Sequence, residues 1–213
     1  MPVDYEVDPR KIEQESFRLI RELTPLEGLD RVQQQVAMRV VHSLGQPGIV
    51  DGLRFSDQAC AQGMDALANQ CPILCDVEMV REGVTRRLVE SPPLCFLNDP
   101  AVPALARANG ETRSMAALKF WEPYLAGSVV LIGNAPTALF RLLEMIRDNE
   151  DQPALIVAMP VGFVGAAESK QLLWDSHRDL GIECITLLGR EGGSAVTAAS
   201  CNALLRCLND EWY

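Results

Sequence analysis

The spacing of apolar residues in the first quarter of the chain predicts two helices and the start of a third. Across residues 8–23 apolar side chains recur at the helical period of about 3.6 residues, and Pro25 ends the pattern. Across about residues 30–44 a row of valines at four-residue spacing forms one apolar stripe, which Gly45 ends. The third helix is predicted to begin after Phe55, with Ser56 as its N-cap.

The pattern changes after Pro72, where short apolar runs alternate with helical stretches. The runs are residues 73–75, 94–97, 129–132, 155–159 and 185–188. Unbroken apolar runs of this length are typical of strands covered on both faces, and alternation of strand and helix indicates parallel pairing. We therefore predict an α/β fold, a three-layer, mostly parallel sheet with helices on both faces, in a single domain over residues 1–213.

Each of the last three predicted strands is followed by a turn rich in glycine or proline. The first turn contains Asn134, and the second contains Gly162 and Gly165. Ligands bind at the carboxyl ends of open parallel sheets, where helix N-termini can hold carboxylates or phosphates. Glycine is also common in such turns for backbone reasons alone, so the turns are either a ligand site or simple chain reversals.

The sequence lacks the motifs of several common enzyme classes. Dinucleotide-binding, P-loop, nucleophile-elbow and zinc-protease motifs are all absent. Their absence argues against phosphoryl-transfer and hydrolytic chemistry, and against a nicotinamide-dependent oxidoreductase on a similar sheet. The cysteines, seven in number, form no disulfide framework, and Cys71 and Cys75 have no matching second pair, so no metal is expected.

Charge and hydropathy limit the classes of binding partner and the cellular compartment that we expect. The net charge of −10 argues against nucleic acid and against a membrane surface, since both partners need a basic surface. No apolar run approaches the roughly 20 residues that span a bilayer. Residues 1–10 carry mixed charge and lack the apolar core of a signal peptide. We therefore expect a cytoplasmic protein.

The two histidines differ in their surroundings. His42 lies three positions after Arg39, so both are on one face of the second predicted helix. On spacing alone His42 fits a hydrogen-bonded interior histidine better than a catalyst. An imidazole with a pKa of about 6.5 can nevertheless exchange a proton near neutral pH. His177 has polar neighbours, which predict a solvated helix surface.

Several further segments of the sequence contain polar residues within helical patterns, and the ordinary explanation of each is a cap or an exposed side chain. The segments are 16–20 (SFRLI), 39–42 (RVVH), 72–76 (PILCD), 83–86 (GVTR), 112–114 (TRS) and 192–195 (GGSA). Two longer and more specific motifs are 132–144 (IGNAPTALFRLLE) and 159–170 (MPVGFVGAAESK). In all of these segments the sequence resembles the precorrin-8X methylmutases of cobalamin biosynthesis.

The resemblance covers nearly the whole chain, from about residue 5 to residue 205. It implies a parallel α/β sheet and a homodimer with tetrapyrrole sites near the subunit interface. It also implies an isomerase that moves a methyl group from C-11 to C-12 of precorrin-8X to give hydrogenobyrinate. Cobalt-containing relatives act on cobalt-precorrin-8. By resemblance, His42 is the proton donor and acceptor, and Ser16 and Arg39 bind substrate.

The substrate's acetate and propionate arms suggest further binding residues. Arg86 and Arg113 are candidates because the planar guanidinium group pairs with both oxygens of a carboxylate. The turns at Asn134, Gly162 and Gly165 would let the macrocycle or its arms approach the backbone.

Large apolar side chains would contact the flat ring, and Met79 and Phe163 are placed in the resembling segments to do so. A methyl shift within one molecule needs no redox cofactor, and we expect none. The alternative is a non-catalytic tetrapyrrole-binding or carrier protein with the same fold.

Overall fold

The computed structural model describes residues 5–148 and 151–213. The helices are α1 (Pro9–Leu23), α2 (Arg31–Leu44), α3 (Ala59–Ala68), α4 (Glu78–Gly83), α5 (Val102–Asn109), α6 (Arg113–Ala117), α7 (Pro136–Asp148), α8 (Ala166–Leu180) and α9 (Ser194–Leu208). The strands are β1 (Leu53–Phe55), β2 (Ile73–Cys75), β3 (Val129–Ile132), β4 (Leu155–Ala158) and β5 (Cys184–Leu187). Short 3-10 helices occupy Pro47–Gly52, Arg86–Leu88 and Leu118–Tyr124. None of the helices in the described ranges combines the length and apolar composition that crossing a bilayer requires.

The strands of the described chain form one mixed sheet in the order β1-β5-β4-β3-β2. β2 to β5 are parallel, with Ile73 opposite Val129 and Val129 opposite Leu155. β1 runs antiparallel at one edge, with Leu53 opposite Leu187. Every residue of the parallel strands is buried, because helices cover both faces of the sheet. The carboxyl ends of these strands therefore meet at one edge of the sheet.

Apolar side chains pack on both faces of the sheet. α1 to α4 and α9 cover one face, and α7, α8 and the 3-10 helix Leu118–Tyr124 cover the other. Strand residues alternate between the two faces, so Val129 and Leu131 face α9 while Val130 and Ile132 face α7. Helix α2 packs along α9 on the same face of the sheet. The predicted three-layer α/β fold is confirmed.

Both predicted N-terminal helices are confirmed, and their first turns explain where they begin. The Asp8 carboxylate accepts hydrogen bonds from main-chain N–H groups in the first turn of α1. At α2 the Asp30 side chain accepts from the N–H of Gln33, whose side chain in turn bonds the main chain of Asp30. This reciprocal capping box satisfies N–H groups that have no partner within the helix.

Four of the predicted strands are confirmed to within a residue at each end, those at 73–75, 129–132, 155–159 and 185–188. The predicted strand at 94–97 is wrong. Only Leu94 pairs, in a single bridge with Leu74. β2 ends at Cys75, so residues 96 and 97 have no strand beside them, and Pro92 and Pro93 lack the N–H groups that would extend the pairing before Leu94. β1 was not predicted, because three residues at a sheet edge carry almost no sequence pattern and depend on β5 for their pairing.

The prediction that Ser56 caps the third helix is also wrong. α3 begins three residues later, at Ala59. The Ser56 side chain is buried, and its hydroxyl donates to the Glu183 carboxylate while accepting from the N–H of Cys184 at 2.7 Å. The serine thus joins the end of β1 to the start of β5 rather than capping a helix.

Candidate active site

His42 lies near the end of α2 with one side of its ring covered. The ring stacks on Phe17 of α1, with the centroids 5.1 Å apart and the planes 20° from parallel. The residue is otherwise exposed, which contradicts the interior histidine that spacing alone favoured. An imidazole that is held on one face and open on the other can exchange a proton with a bound ligand.

Arg39 is one turn before His42, as the spacing predicted, but it is not open to solvent. Its side chain is 14% exposed and forms an ion pair with Glu13 of α1 at 3.1 Å. The guanidinium group lies over the rings of Phe17 and Tyr213, at 4.6 and 4.5 Å from their centroids. The same nitrogen that pairs with Glu13 also bonds the Tyr213 hydroxyl.

These neighbours change the protonation of the imidazole. Partial burial against Phe17 is the largest cause that lowers the pKa of His42, and the charge of Arg39 lowers it further. Glu13 acts in the opposite direction. A pKa below the ordinary value of about 6.5 makes the resting imidazole neutral at pH 7.

A second group of predicted residues lies at the carboxyl ends of the parallel strands. Asp76 follows β2, and its buried carboxylate accepts hydrogen bonds from the N–H groups of Gly133, Asn134 and Ala135 at 3.0, 2.9 and 2.8 Å. Burial raises the pKa of Asp76, and these three hydrogen bonds oppose that rise. The turn before α7 therefore cannot bind an anion through these N–H groups, although the Asn134 side chain is exposed.

The two following turns are bonded to each other. Gly162 donates its N–H to the carbonyl of Arg190 at 3.2 Å, and Gly193 donates to the carbonyl of Met159 at 2.8 Å. The buried Lys170 donates from Nζ to the carbonyl of Glu191 at 2.6 Å. Burial lowers the pKa of Lys170 to about 8. Hydrogen bonds thus join the turns after β4 and β5 into one unit.

Helix α8 begins beside this unit with no side-chain cap. Gly165, its N-cap residue, has a left-handed φ of 80°. The neighbouring Phe163 and Val164 are 86% and 90% exposed, and Met79 at the start of α4 is 72% exposed. This end of the sheet therefore offers an uncapped helix N-terminus next to large apolar side chains in water.

The remaining predicted residues form no hydrogen bond, ion pair or ring contact with His42 in the described part of the chain. Ser16 is partly exposed and donates its hydroxyl to the carbonyl of Ile12 at 2.7 Å. Arg86 is exposed and forms no ion pair among the described residues. Arg113 is exposed and donates to the Leu97 carbonyl and the Asn98 side chain at 2.9 and 3.0 Å.

No hydrogen bond, ion pair or ring contact within the described ranges joins the His42 group to the strand-end group. Helices α1 and α2 and the residue Tyr213 form the first group, and the turns after β2 to β5 form the second. A cleft of about 490 Å³, lined by Cys71, Ile73, Leu88 and Leu205 among others, contains none of the predicted residues.

Sequence reasoning missed the partners that surround Arg39 and Asp76. Phe17 follows Ser16 directly in the SFRLI motif, and this position could have indicated that Phe17 belongs to the site. No feature of the sequence pointed to Tyr213. His177, predicted to be solvated, is instead buried, and its ring stacks on Trp174 with the centroids 4.7 Å apart. The prediction for His177 is wrong because its polar sequence neighbours occupy the other face of α8.

The fold and the site define a class of protein. It is a three-layer α/β protein with an exposed, ring-stacked imidazole beside a guanidinium group, and with large apolar side chains exposed at the carboxyl ends of its strands. A family model for precorrin-8X methylmutase (CbiC) matches residues 11–207. The chain belongs to the precorrin-8X methylmutase family.

Individual relatives agree along almost the whole chain. The precorrin-8X methylmutase of Pseudomonas aeruginosa is 49% identical over 204 residues, which cover 95% of this chain and 97% of the relative. The cobalt-precorrin-8 methylmutase of Salmonella typhimurium is 38% identical over 215 residues, covering 97% and 99%. The crystal structure of precorrin-8X methylmutase from Thermus thermophilus has a TM-score of 0.85 and 32% identity, covering 96% of this chain and 98% of its own.

Proposed function

We propose that this isomerase of cobalamin biosynthesis moves a methyl group from C-11 to C-12 of precorrin-8X to give hydrogenobyrinate, with His42 as proton donor and acceptor. Family membership supports the reaction, since the family match spans residues 11–207. The observation that carries the role of His42 is its ring, stacked on Phe17, next to Arg39 and otherwise open.

Proton transfer from His42 can assist a methyl shift without being consumed. Because its pKa is lowered, the resting imidazole is neutral and can take up a proton when a ligand with many carboxylates binds nearby. The resulting imidazolium ion donates this proton to a ring nitrogen, which makes the conjugated system more electron-poor while the methyl group moves. His42 then takes the proton back, so the reaction has no net proton change.

Substrate binding draws on the other predicted residues. The exposed Arg86 and Arg113 are available for carboxylate arms, and neither has a carboxylate partner among the described residues. The uncapped N-terminus of α8 at Gly165 offers main-chain N–H groups and a partial positive charge for another arm. Asn134 contributes its exposed side chain, and Gly162 lets the ring approach the backbone. Ser16 would bind substrate from α1.

Met79 and Phe163 supply the apolar contact for the macrocycle. Both side chains are largely exposed, at 72% and 86%. Exposed large apolar side chains commonly mark ligand or protein interfaces.

A homodimer accounts for the separation of the two groups of site residues. No hydrogen bond, ion pair or ring contact joins the His42 group to the strand-end group within the described part of one protomer. Two copies can bring the His42 face of one protomer next to the strand-end turns of its partner, where the apolar side chains would be covered. We expect this dimer in the cytoplasm, with no nucleic-acid or membrane partner, because the net charge is −10.

Metal-free precorrin-8X is the favoured substrate. The chain is 49% identical to the Pseudomonas aeruginosa precorrin-8X methylmutase and 38% identical to the Salmonella typhimurium cobalt-precorrin-8 methylmutase. Assaying both substrates side by side tests this preference, and faster turnover of the cobalt form would reverse it.

The decisive experiment compares His42→Ala with the wild type and with His177→Gln. Conversion of precorrin-8X to hydrogenobyrinate is followed by absorbance, and ligand binding is measured separately. We expect His42→Ala to bind the tetrapyrrole but to lose about 10²–10⁴-fold in turnover, the usual contribution of a general acid. His177→Gln, which changes the other histidine, should turn over normally if it folds.

Two outcomes would contradict the proposal. A His42→Ala variant with near wild-type turnover removes the proton role from His42. A wild-type protein that binds precorrin-8X without converting it supports the carrier alternative instead.

A further inference from the structure

Residues 210–213 follow α9 and lie outside the residues that the family model matches, yet they contact the candidate site. The main chain of Tyr213 pairs with the side-chain amide of Gln35 on α2. Its N–H donates to Oε1 at 3.1 Å, and the Gln35 Nε2 donates to the Tyr213 carbonyl oxygen at 3.0 Å. Arg21 of α1 donates to the same oxygen at 2.6 Å. Hydrogen bonds therefore hold the segment to both α1 and α2, the helices that carry Phe17 and His42.

The Tyr213 ring extends the stack that holds His42. It packs on Phe17 with the centroids 3.8 Å apart and the planes 17° from parallel. The Phe17 ring also stacks on His42, with the centroids 5.1 Å apart. Phe17 is buried, so its ring plane is set by what packs against it, and Tyr213 is the closer of its two ring contacts.

The Tyr213 hydroxyl organises the charges beside the imidazole. It donates to the Glu13 carboxylate at 2.6 Å and accepts from Arg206 of α9 at 2.8 Å. It also accepts from Nη2 of Arg39, the nitrogen that pairs with Glu13. Arg39 is thus held between an aromatic face and two oxygen atoms, and its Nη2 is fully engaged.

We propose that Tyr213 is a positioning residue of the His42 site, which fixes the Phe17 ring and the Arg39 guanidinium group so that they orient the imidazole. This inference rests on the proposed function of His42 as the proton-transferring group. It assigns a role in the reaction to a residue beyond the family match, and it makes Arg39 a group that orients the imidazole.

The test compares Tyr213→Ala and Tyr213→Phe with Trp212→Ala as the matched control. Trp212 belongs to the same segment, but its ring contact is with Arg31, whose guanidinium carbon lies 3.9 Å from the ring centroid, and its indole N–H donates to Asp210. Urea unfolding is recorded for each variant so that loss of the fold is seen separately.

The first readout is the pKa of His42 in the free enzyme, measured by proton NMR. The sequence has two histidines, and His42→Gln assigns the signals. The charged groups that face His42 are Arg39 from α2 and Glu13 from α1. Tyr213→Ala releases Arg39 into water, which screens its charge, so the His42 pKa should rise toward its ordinary value. Tyr213→Phe keeps the ring and should shift the pKa less, whereas Trp212→Ala should leave it unchanged.

The second readout is the separation of kcat from KM with precorrin-8X. Tyr213→Ala should lower kcat about ten- to a hundredfold while changing KM much less, because a misplaced general acid slows the chemical step. Tyr213→Phe should recover part of this loss.

Three results would overturn the inference. The His42 pKa and kcat of Tyr213→Ala could equal those of the wild type. Trp212→Ala could match Tyr213→Ala, which would make the segment merely structural. KM could fall with kcat unchanged, in which case Tyr213 covers the substrate site instead of ordering it. If the wild type has no methylmutase activity, the proposed function fails, and the NMR readout alone still decides the role of Tyr213.

Discussion

Substitution of Gly192 by alanine tests how the turns after β4 and β5 fit together. Gly192 has a φ of +147°, in a region that side chains rarely adopt. A Cβ atom built on it would lie 2.1 Å from the carbonyl oxygen of Met159 and 2.9 Å from its carbon. Non-bonded carbon and oxygen atoms approach to about 3.3 Å, so one of the two turns must move by about 1 Å.

The cost of this movement can be worked out from the contacts it disturbs. The unfavourable backbone conformation contributes about 1–3 kcal/mol for a non-glycine residue. Overpacking adds about 1–3 kcal/mol, since the clash is with main chain and not with a flexible side chain. The hydrogen bond from Gly193 to Met159, at 2.8 Å, is at the point of movement, and its loss adds about 1 kcal/mol. We expect Gly192→Ala to lower the free energy of unfolding by about 3–7 kcal/mol.

The adjacent Gly193 provides a matched control. Its φ is +124°, but a Cβ atom there would have Val161 Cγ1 as its nearest neighbour, at 3.9 Å, which is ordinary contact. Gly193→Ala therefore carries the backbone cost of about 1–3 kcal/mol without the clash. Equilibrium urea unfolding, followed by circular dichroism, measures both variants. Equal losses of stability in the two variants would refute the close approach of Gly192 to Met159.

Three further changes have definite expected outcomes. Burial lowers the pKa of Lys170 from 10.5 to about 8, so between these two pH values the unfolded chain binds more protons than the folded chain. The free energy of unfolding of the wild type, relative to that of Lys170→Met, should therefore rise by about 3 kcal/mol as the pH increases across this window. Parallel stability–pH curves for the two proteins would disprove this prediction. Thiol labelling of the native protein should be fast at Cys71 and slower at Cys95, because burial raises the pKa of Cys95 to about 11 and the thiolate is the reactive form. The other five cysteines are buried, so only denaturation should make all seven react, and rapid native labelling of any of the five would contradict the packing. Gly63→Ala would place a Cβ atom 2.5 Å from Cδ2 of Leu155, which is the end of a side chain that can move. We therefore expect urea unfolding to show a loss of only about 1–3 kcal/mol in the free energy of unfolding. A loss as large as that of Gly192→Ala would mean that the Leu155 side chain cannot adjust.

Local sequence patterns determined the helices and most of the parallel strands. The period of apolar residues and the capping residues Asp8 and Asp30 act within one or two turns, so α1 and α2 could be predicted almost to the residue. The neighbouring positions of Arg39 and His42 followed from helical spacing for the same reason. The family resemblance rested on contiguous motifs, which survive in the sequence without any knowledge of the fold.

Tertiary structure decided what each of these residues touches. The environment of Arg39 depends on Glu13 and Tyr213, which are 26 and 174 positions away, and Asp76 bonds a turn that begins 57 positions later. The same dependence on distant partners converted the expected cap at Ser56 into a link between strands and buried His177. Contacts of this kind arise when packing brings remote segments together, and their energies depend on burial and geometry that no local pattern encodes.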